Sequence, residues 1–158
     1  MIPPTIPALV ARAADHPALR EHLSLDEREQ VAFACFRDVR LQSTYQPIFD
    51  VSMSGMQTLW SSPEQADRFG DELGFQALTE RADGDAFDPF DTVCDDRELV
   101  TLDRLARTLH AVNFFGAQRH GMLFLRVHER LLKSVKYDHG QHFSSVLLSF
   151  GLNPTRVI

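Results

Sequence analysis

Two short apolar runs, residues 74–78 and 122–127, bracket a long segment in which Leu99, Leu102, Leu105 with Ala106, Leu109 and Val112 recur on one helical face. Strand, amphipathic helix and strand together predict a βαβ unit, and such a unit implies a parallel sheet. The helix should open near Asp95 or Asp96 and close at Gly116. Residues 122–127 are almost unbroken apolar sequence, as in a strand buried on both faces. In parallel sheets chemistry gathers where strands end and loops begin. Gln76, Glu80, Arg126 and His128 are therefore the first residues to question.

The flanking sequence extends the alternation. Residues 1–4 read as a tail, and residues 6–16 as a short helix stopped by Pro17. Ser24-x-x-Glu27 is a capping box, and Leu25, Ala32, Cys35, Phe36 and Val39 follow at helical spacing, predicting a helix to about Leu41. Tyr45-Gln46-Pro47-Ile48-Phe49-Asp50 reads as a strand, with Pro47 restricting it to an edge or to one-sided pairing there. Residues 52–73 are polar and irregular, except that Ser62-Pro63-Glu64-Gln65 predicts a short helix to about Asp71, with Trp60 pinning the loop before it. Residues 81–88 form a turn-rich loop. Helices are expected over 129–135 and 141–150, the second closed by Gly151, and Arg156-Val157-Ile158 starts another strand. An open sheet of this kind must have its edges paired or covered. The pattern therefore reads as part of a larger βα-barrel, or as a sheet closed by a partner. It divides into an N-terminal helical segment, 1–41, and a βα domain, 42–158, with an insertion at 52–73.

Composition narrows the function classes. The 158 residues carry 44% apolar and 24% charged side chains, as in an ordinary single globular domain. A net charge of -6 argues against nucleic acid or an acidic membrane as the main partner. No apolar run approaches the ~20 residues of a membrane span. No basic segment followed by an apolar core marks a signal peptide. Two cysteines are too few for a disulfide framework, and Cys35, read on a helix, is expected to be a buried free thiol. These features together predict a cytoplasmic protein.

Tyr45-Gln46-Pro47-Ile48, then Gly74-Phe75-Gln76-Ala77-Leu78, then Leu102-Asp103-Arg104-Leu105, then Leu123-Phe124-Leu125-Arg126-Val127-His128 resembles, in order, the first half of an EAL domain. The resemblance covers about residues 40 to 158. It implies an α/β fold, a partial (β/α)8 TIM-like barrel, roughly half a barrel preceded by N-terminal helices. The family hydrolyses cyclic di-GMP to the linear dinucleotide, using two divalent metals held by carboxylates and an asparagine to activate water and clamp the phosphate. Carried over position by position, the metal-binding glutamate is Gln76, whose amide offers one uncharged carbonyl oxygen. The ligand-contacting arginine aligns with Glu80, with Arg81 beside it. The metal-binding asparagine aligns with Arg126, whose guanidinium has no acceptor. Gln46 and Asp103 match positions near the ligand. The later motifs of the family would lie beyond Ile158.

The resemblance thus implies a degenerate site with no catalytic residue and no metal or other cofactor, with Gln46, Glu80, Arg81 and Asp103 as ligand-binding candidates. Such a protein would act in cyclic di-GMP signalling, through protein contacts, self-association at open sheet edges, or nucleotide sensing. The alternative is a magnesium- or manganese-dependent phosphodiesterase active in a longer chain or with a partner. Arg126 could instead pair with Glu80, and His128 reads as a surface or capping histidine. His139 and His142 fit a solvated helix start better than a zinc site. The aspartates between 83 and 96 lack calcium-loop spacing and read as a solvated acidic loop.

Overall fold

The computed structural model describes residues 2–50, 71–85, 88–133 and 139–158. The helix expected from Pro63 and the role given to Trp60 lie outside the described residues. The chain is mixed α/β: a five-stranded open sheet with its described helices gathered around one of their number. Helix α1, Ile6–Ala13, is capped by Thr5 and carries Pro7 in its first turn. Strands β1, Leu23–Asp26, β2, Val31–Phe36, β3, Val39–Phe49, and β4, Glu72–Arg81, form an antiparallel meander. Helix α2, Asp96–Gly116, crosses from β4 to β5, Met122–Leu125, which pairs parallel to β4. The βαβ unit is therefore present, but it stands at one end of a mixed sheet. Helices α3, Glu129–Leu132, and α4, His139–Ser149, complete the set. Val157 bridges in parallel to Leu123, and Ile158 exchanges hydrogen bonds with the β5 backbone at 2.8 and 2.9 Å. Of the strand expected at Arg156-Val157-Ile158, only this isolated bridge beside β5 forms, and Arg156 ends a 3-10 helix, Pro154–Arg156.

The helix expected over residues 24–41 is not formed, so the N-terminal segment is not all helical. Ser24 lies within β1, and Asp26 instead accepts from the backbone N–H groups of Arg28 and Glu29 at 3.1 Å, turning the chain. Ala32 and Ala34 are buried one residue apart, the period of a strand. Between β2 and β3, Arg37 and Asp38 have φ of 48° and 62°, the backbone of a two-residue hairpin with the right twist. Strand β3 runs continuously through position 41, and Cys35 lies half-buried on β2 rather than on a buried helix face.

Helix α2 opens at Asp95, whose carboxylate accepts from the Arg97 N–H at 2.7 Å. Its α-helical span ends at Gly116, but the left-handed φ of 57° falls two residues later, on Gln118. Gly116 serves a different purpose: a Cβ there would stand 2.7 Å from the backbone nitrogen of Ile6. The bare backbone lets α1 lie against the end of α2. Gly151 does close α4 with a left-handed φ of 72°.

The anchor of α2 on the meander is Asn113. Its Oδ1 accepts from the Ala32 N–H at 2.8 Å, and its Nδ2 donates to the Ala32 carbonyl at 2.9 Å. One side-chain amide thus takes the place of a neighbouring strand at a buried position. Replacing Asn113 with Leu strips both partners from a buried peptide, and each stranded group costs about 1–3 kcal/mol. Asn113→Leu should lower the free energy of urea unfolding by about 2–4 kcal/mol with little change in the slope of the transition.

Candidate functional site

Strand pleating sorts the chemistry of this chain onto two faces. Toward α2, β3 presents Leu41, Ser43 and Tyr45, and β4 presents Phe75, Ala77 and Thr79; these make the core contacts and the bonds to the helix. The opposite face carries Gln46, Gln76 and Phe124, aligned side by side across β3, β4 and β5. Gln76 is half-buried and Gln46 exposed. Arg126 follows Phe124 by two residues, just past the end of β5, and Glu80 lies at the far end of β4 opposite Gln42. Sheet register therefore sets Gln46 directly opposite Gln76. Arg126 and Glu80 are both exposed, and no ion pair joins them among the described residues.

Arg81 points elsewhere. It is held by Asp83, with bonds at 3.1 and 2.7 Å, and lies 3.9 Å from Asp85. The guanidinium hydrogen bond pulls the Asp83 carboxyl down to about 2. Asp103 lies on α2, across the sheet from Gln76. Its Oδ2 is 2.8 Å from Nε of Arg107, one helical turn on, and both side chains are almost fully buried. His128 caps α3, accepting from the Arg130 N–H at 3.3 Å, and stacks on Phe90 with ring centroids 5.8 Å apart.

The helix-side residues frame a cleft of about 360 Å³ between α2 and the carboxyl ends of β4 and β5. Ala77, Thr79, Leu125 and Val127 supply its sheet side, Ala106, Arg107 and His110 its helix side, and Phe90 with His128 its mouth. Two small residues, Ala77 of β4 and Ala106 of α2, are part of its lining. His110 is the group that sequence reading missed. Its Nδ1 lies 2.7 Å from the Ser43 hydroxyl and its Nε2 2.9 Å from the Thr79 hydroxyl. Tyr45 donates to its backbone carbonyl at 2.7 Å. A neutral imidazole has one donor and one acceptor, and two hydroxyls, each able to do either, satisfy both. Burial, with the Arg107 charge nearby adding to it, pushes the ring down to about 3, so it is neutral at physiological pH. The signal was a histidine and an asparagine interrupting the apolar face of α2.

Among the described residues no group of three or more His, Cys, Asp or Glu side chains is placed to hold a metal ion. No helix among them is long and apolar enough to cross a membrane. Comparison of the chain with models of protein families, with curated proteins and with solved structures found no match in any of the three.

The neutral state of His110 sets a pH dependence with a definite sign. Above its ordinary value of 6.5 the ring is neutral in both the folded and the unfolded chain and contributes no slope. Between about 6.5 and about 3 the unfolded chain takes up a proton that the folded chain refuses, so stability falls as pH falls. The full effect is about tenfold in the folding equilibrium, or about 1.4 kcal/mol, per pH unit. Urea unfolding of the parent and of His110→Gln across this window should show a steeper acid loss in the parent by that amount. Parallel curves would mean that the ring accepts a proton in place.

Proposed function

We propose that this chain is a non-catalytic, EAL-like module of cyclic di-GMP signalling that works through protein contacts. One arrangement carries the reading. The strands that bear the ordered motifs are neighbours in register, with Gln46 opposite Gln76, Gln76 opposite Phe124, and Arg126 two residues on. A partial barrel of the EAL type is consistent with strands β4 and β5, the crossover helix α2 between them, and the further parallel pairing at Val157. The antiparallel β1–β2 hairpin and the first half of β3 have no counterpart in that resemblance.

The residues present do not fit the paired divalent ions of the family. Gln76 brings no charge to a hard cation. The guanidinium of Arg126 repels a cation and has no lone pair to offer it. Glu80 is exposed at the end of β4, and Arg81 is engaged by Asp83, so neither replaces the missing carboxylates beside Gln76. What remains is a face of two amides and an aromatic ring, with the exposed cation of Arg126 past the end of β5, a set that recognises without cleaving. The exposed backbone edges of an open sheet give such a module a surface for a protein partner or a second copy.

Purified protein incubated with cyclic di-GMP and magnesium or manganese should release no linear dinucleotide; turnover would overturn the proposal. A second reading, a metal-independent nucleotide receptor, draws on Arg126, an exposed guanidinium suited to phosphate. Calorimetry with cyclic di-GMP in chelator separates the two. Absence of heat is expected for an adaptor, and micromolar binding lost in Arg126→Ala would establish the receptor.

A further inference from the structure

Most of the ionisable groups that line the helix-side cleft are already engaged. Arg107 and Asp103 pair with each other, and both are almost closed off from solvent. His110 is neutral and held between the Ser43 and Thr79 hydroxyls. His128 caps α3. The Asp88 carboxylate accepts from the Phe90 N–H at 2.9 Å. Three charged side chains of the lining are left over: Asp91, Arg126 and Glu129. All three residues are exposed, and none of these side chains makes a hydrogen bond or an ion pair, with one another or with any other described residue.

Unlike charges that share a cleft without pairing can be served together by one ligand that carries both signs. A carboxylate alone would meet Arg126 but also the two free carboxylates. An ammonium alone would meet Asp91 and Glu129 but also the guanidinium. A zwitterion that lies one way round avoids both penalties. The flat donor fork of a guanidinium fits a carboxylate, and an ammonium has three N–H donors, enough for two carboxylates. The sheet side of the cleft is apolar at Ala77, Leu125 and Val127, and α2 adds Ala106. A volume of about 360 Å³ is at the small end of ligand pockets, the scale of one small metabolite rather than a dinucleotide. We infer that the cleft binds an α-amino acid with an apolar side chain, its carboxylate on Arg126, its ammonium shared by Asp91 and Glu129, and its side chain against Ala77, Ala106 and Leu125.

L-Leucine tests this beside two analogues that each lack one charge: 3-methylbutylamine, without the carboxylate, and 4-methylpentanoate, without the ammonium. Amide chemical shifts of the full chain, titrated at neutral pH with no cyclic di-GMP present, should move with leucine at Ala77, Ala106 and Leu125. Each analogue should bind at least about tenfold more weakly, the loss expected for one charge-assisted contact. Arg126→Gln, at an exposed position, should lower the leucine affinity to that of the amine and leave the amine binding no weaker. Asp91→Asn, also exposed, should weaken leucine and the amine alike. No response of the wild-type chain to leucine would overturn the inference. So would an analogue that binds as tightly as leucine, a leucine affinity unchanged in Arg126→Gln, or shifts confined to the Gln76 and Phe124 face. None of these results bears on the adaptor reading, which the cyclic di-GMP measurements test on their own.

Discussion

Helix α2 is buried along almost its whole length, yet it carries Asp103, Arg107, His110 and Asn113 into the interior. That combination constrains everything around it. Apolar packing alone would let a helix slide or rotate on a sheet at little cost, because dispersion is non-directional. The polar groups remove that freedom. Asn113 reads one peptide of β2, and His110 reads one hydroxyl on β3 and another on β4. A shift of α2 by one residue would strand several buried donors and acceptors at once, each at a cost comparable to a lost hydrogen bond. The helix therefore fixes the mutual position of β2, β3 and β4, of which only β4 belongs to its own βαβ unit.

The same docking decides which chemistry is available on which side. Because α2 occupies one face through Ser43, Tyr45 and Thr79, the alternate residues Gln46, Gln76 and Phe124 are turned away from it. Motif positions that look like one site in a linear reading are thus separated by the thickness of a sheet. Gln46 and Gln76 belong to one side, Asp103 belongs to the other, paired with Arg107, and Arg126, past the end of β5, lines the helix-side cleft. Two unlike environments result: an amide-and-aromatic face, and an apolar-floored cleft with a neutral histidine, an ion pair at its wall and Arg126 in its lining.

How much of this was legible varies with the physics of each segment. The β4–α2–β5 unit was plain, because long amphipathic periodicity and an unbroken apolar run leave few competing solutions. The caps at Asp95 and His128 were also readable, since a polar side chain before a helix has a local partner. The β1–β2 hairpin and the first half of β3 were not. Leu25, Ala32, Cys35, Phe36 and Val39 satisfy a helical spacing, while Ala32 and Ala34 satisfy a strand, and over so short a stretch the two periods overlap. The strand wins through tertiary pairing that no local pattern contains: Asn113, eighty-one positions away, completes the hydrogen bonding of Ala32. The Arg37-Asp38 hairpin was equally hidden, because its positive φ values fall on residues that do not advertise them as glycine would. His110 was invisible for the opposite reason: a lone histidine on an apolar helix face shows its purpose only when Ser43 and Thr79 arrive from distant strands.

Strand β4 is where the antiparallel and parallel halves of the sheet meet, and two glycines determine how. A Cβ on Gly74 would lie 2.0 Å from the Met122 carbonyl oxygen, and one on Gly121 would lie 2.8 Å from the Leu73 carbonyl oxygen. The backbones approach at the start of β5 as closely as they do because neither residue has a side chain. That contact pins Gly74 to Met122, and hence Gln76 to Phe124 and Ala77 to Leu125. A slip of β5 by one residue would invert its faces, since side chains alternate with a period of two. Phe124 would turn toward α2, where Leu123 is now fully buried. A larger ring in place of the buried leucine would have to displace the closely packed face of α2, at a cost of about 1–3 kcal/mol. Both faces of the sheet therefore owe their composition to a close backbone approach at residues that take no part in either site.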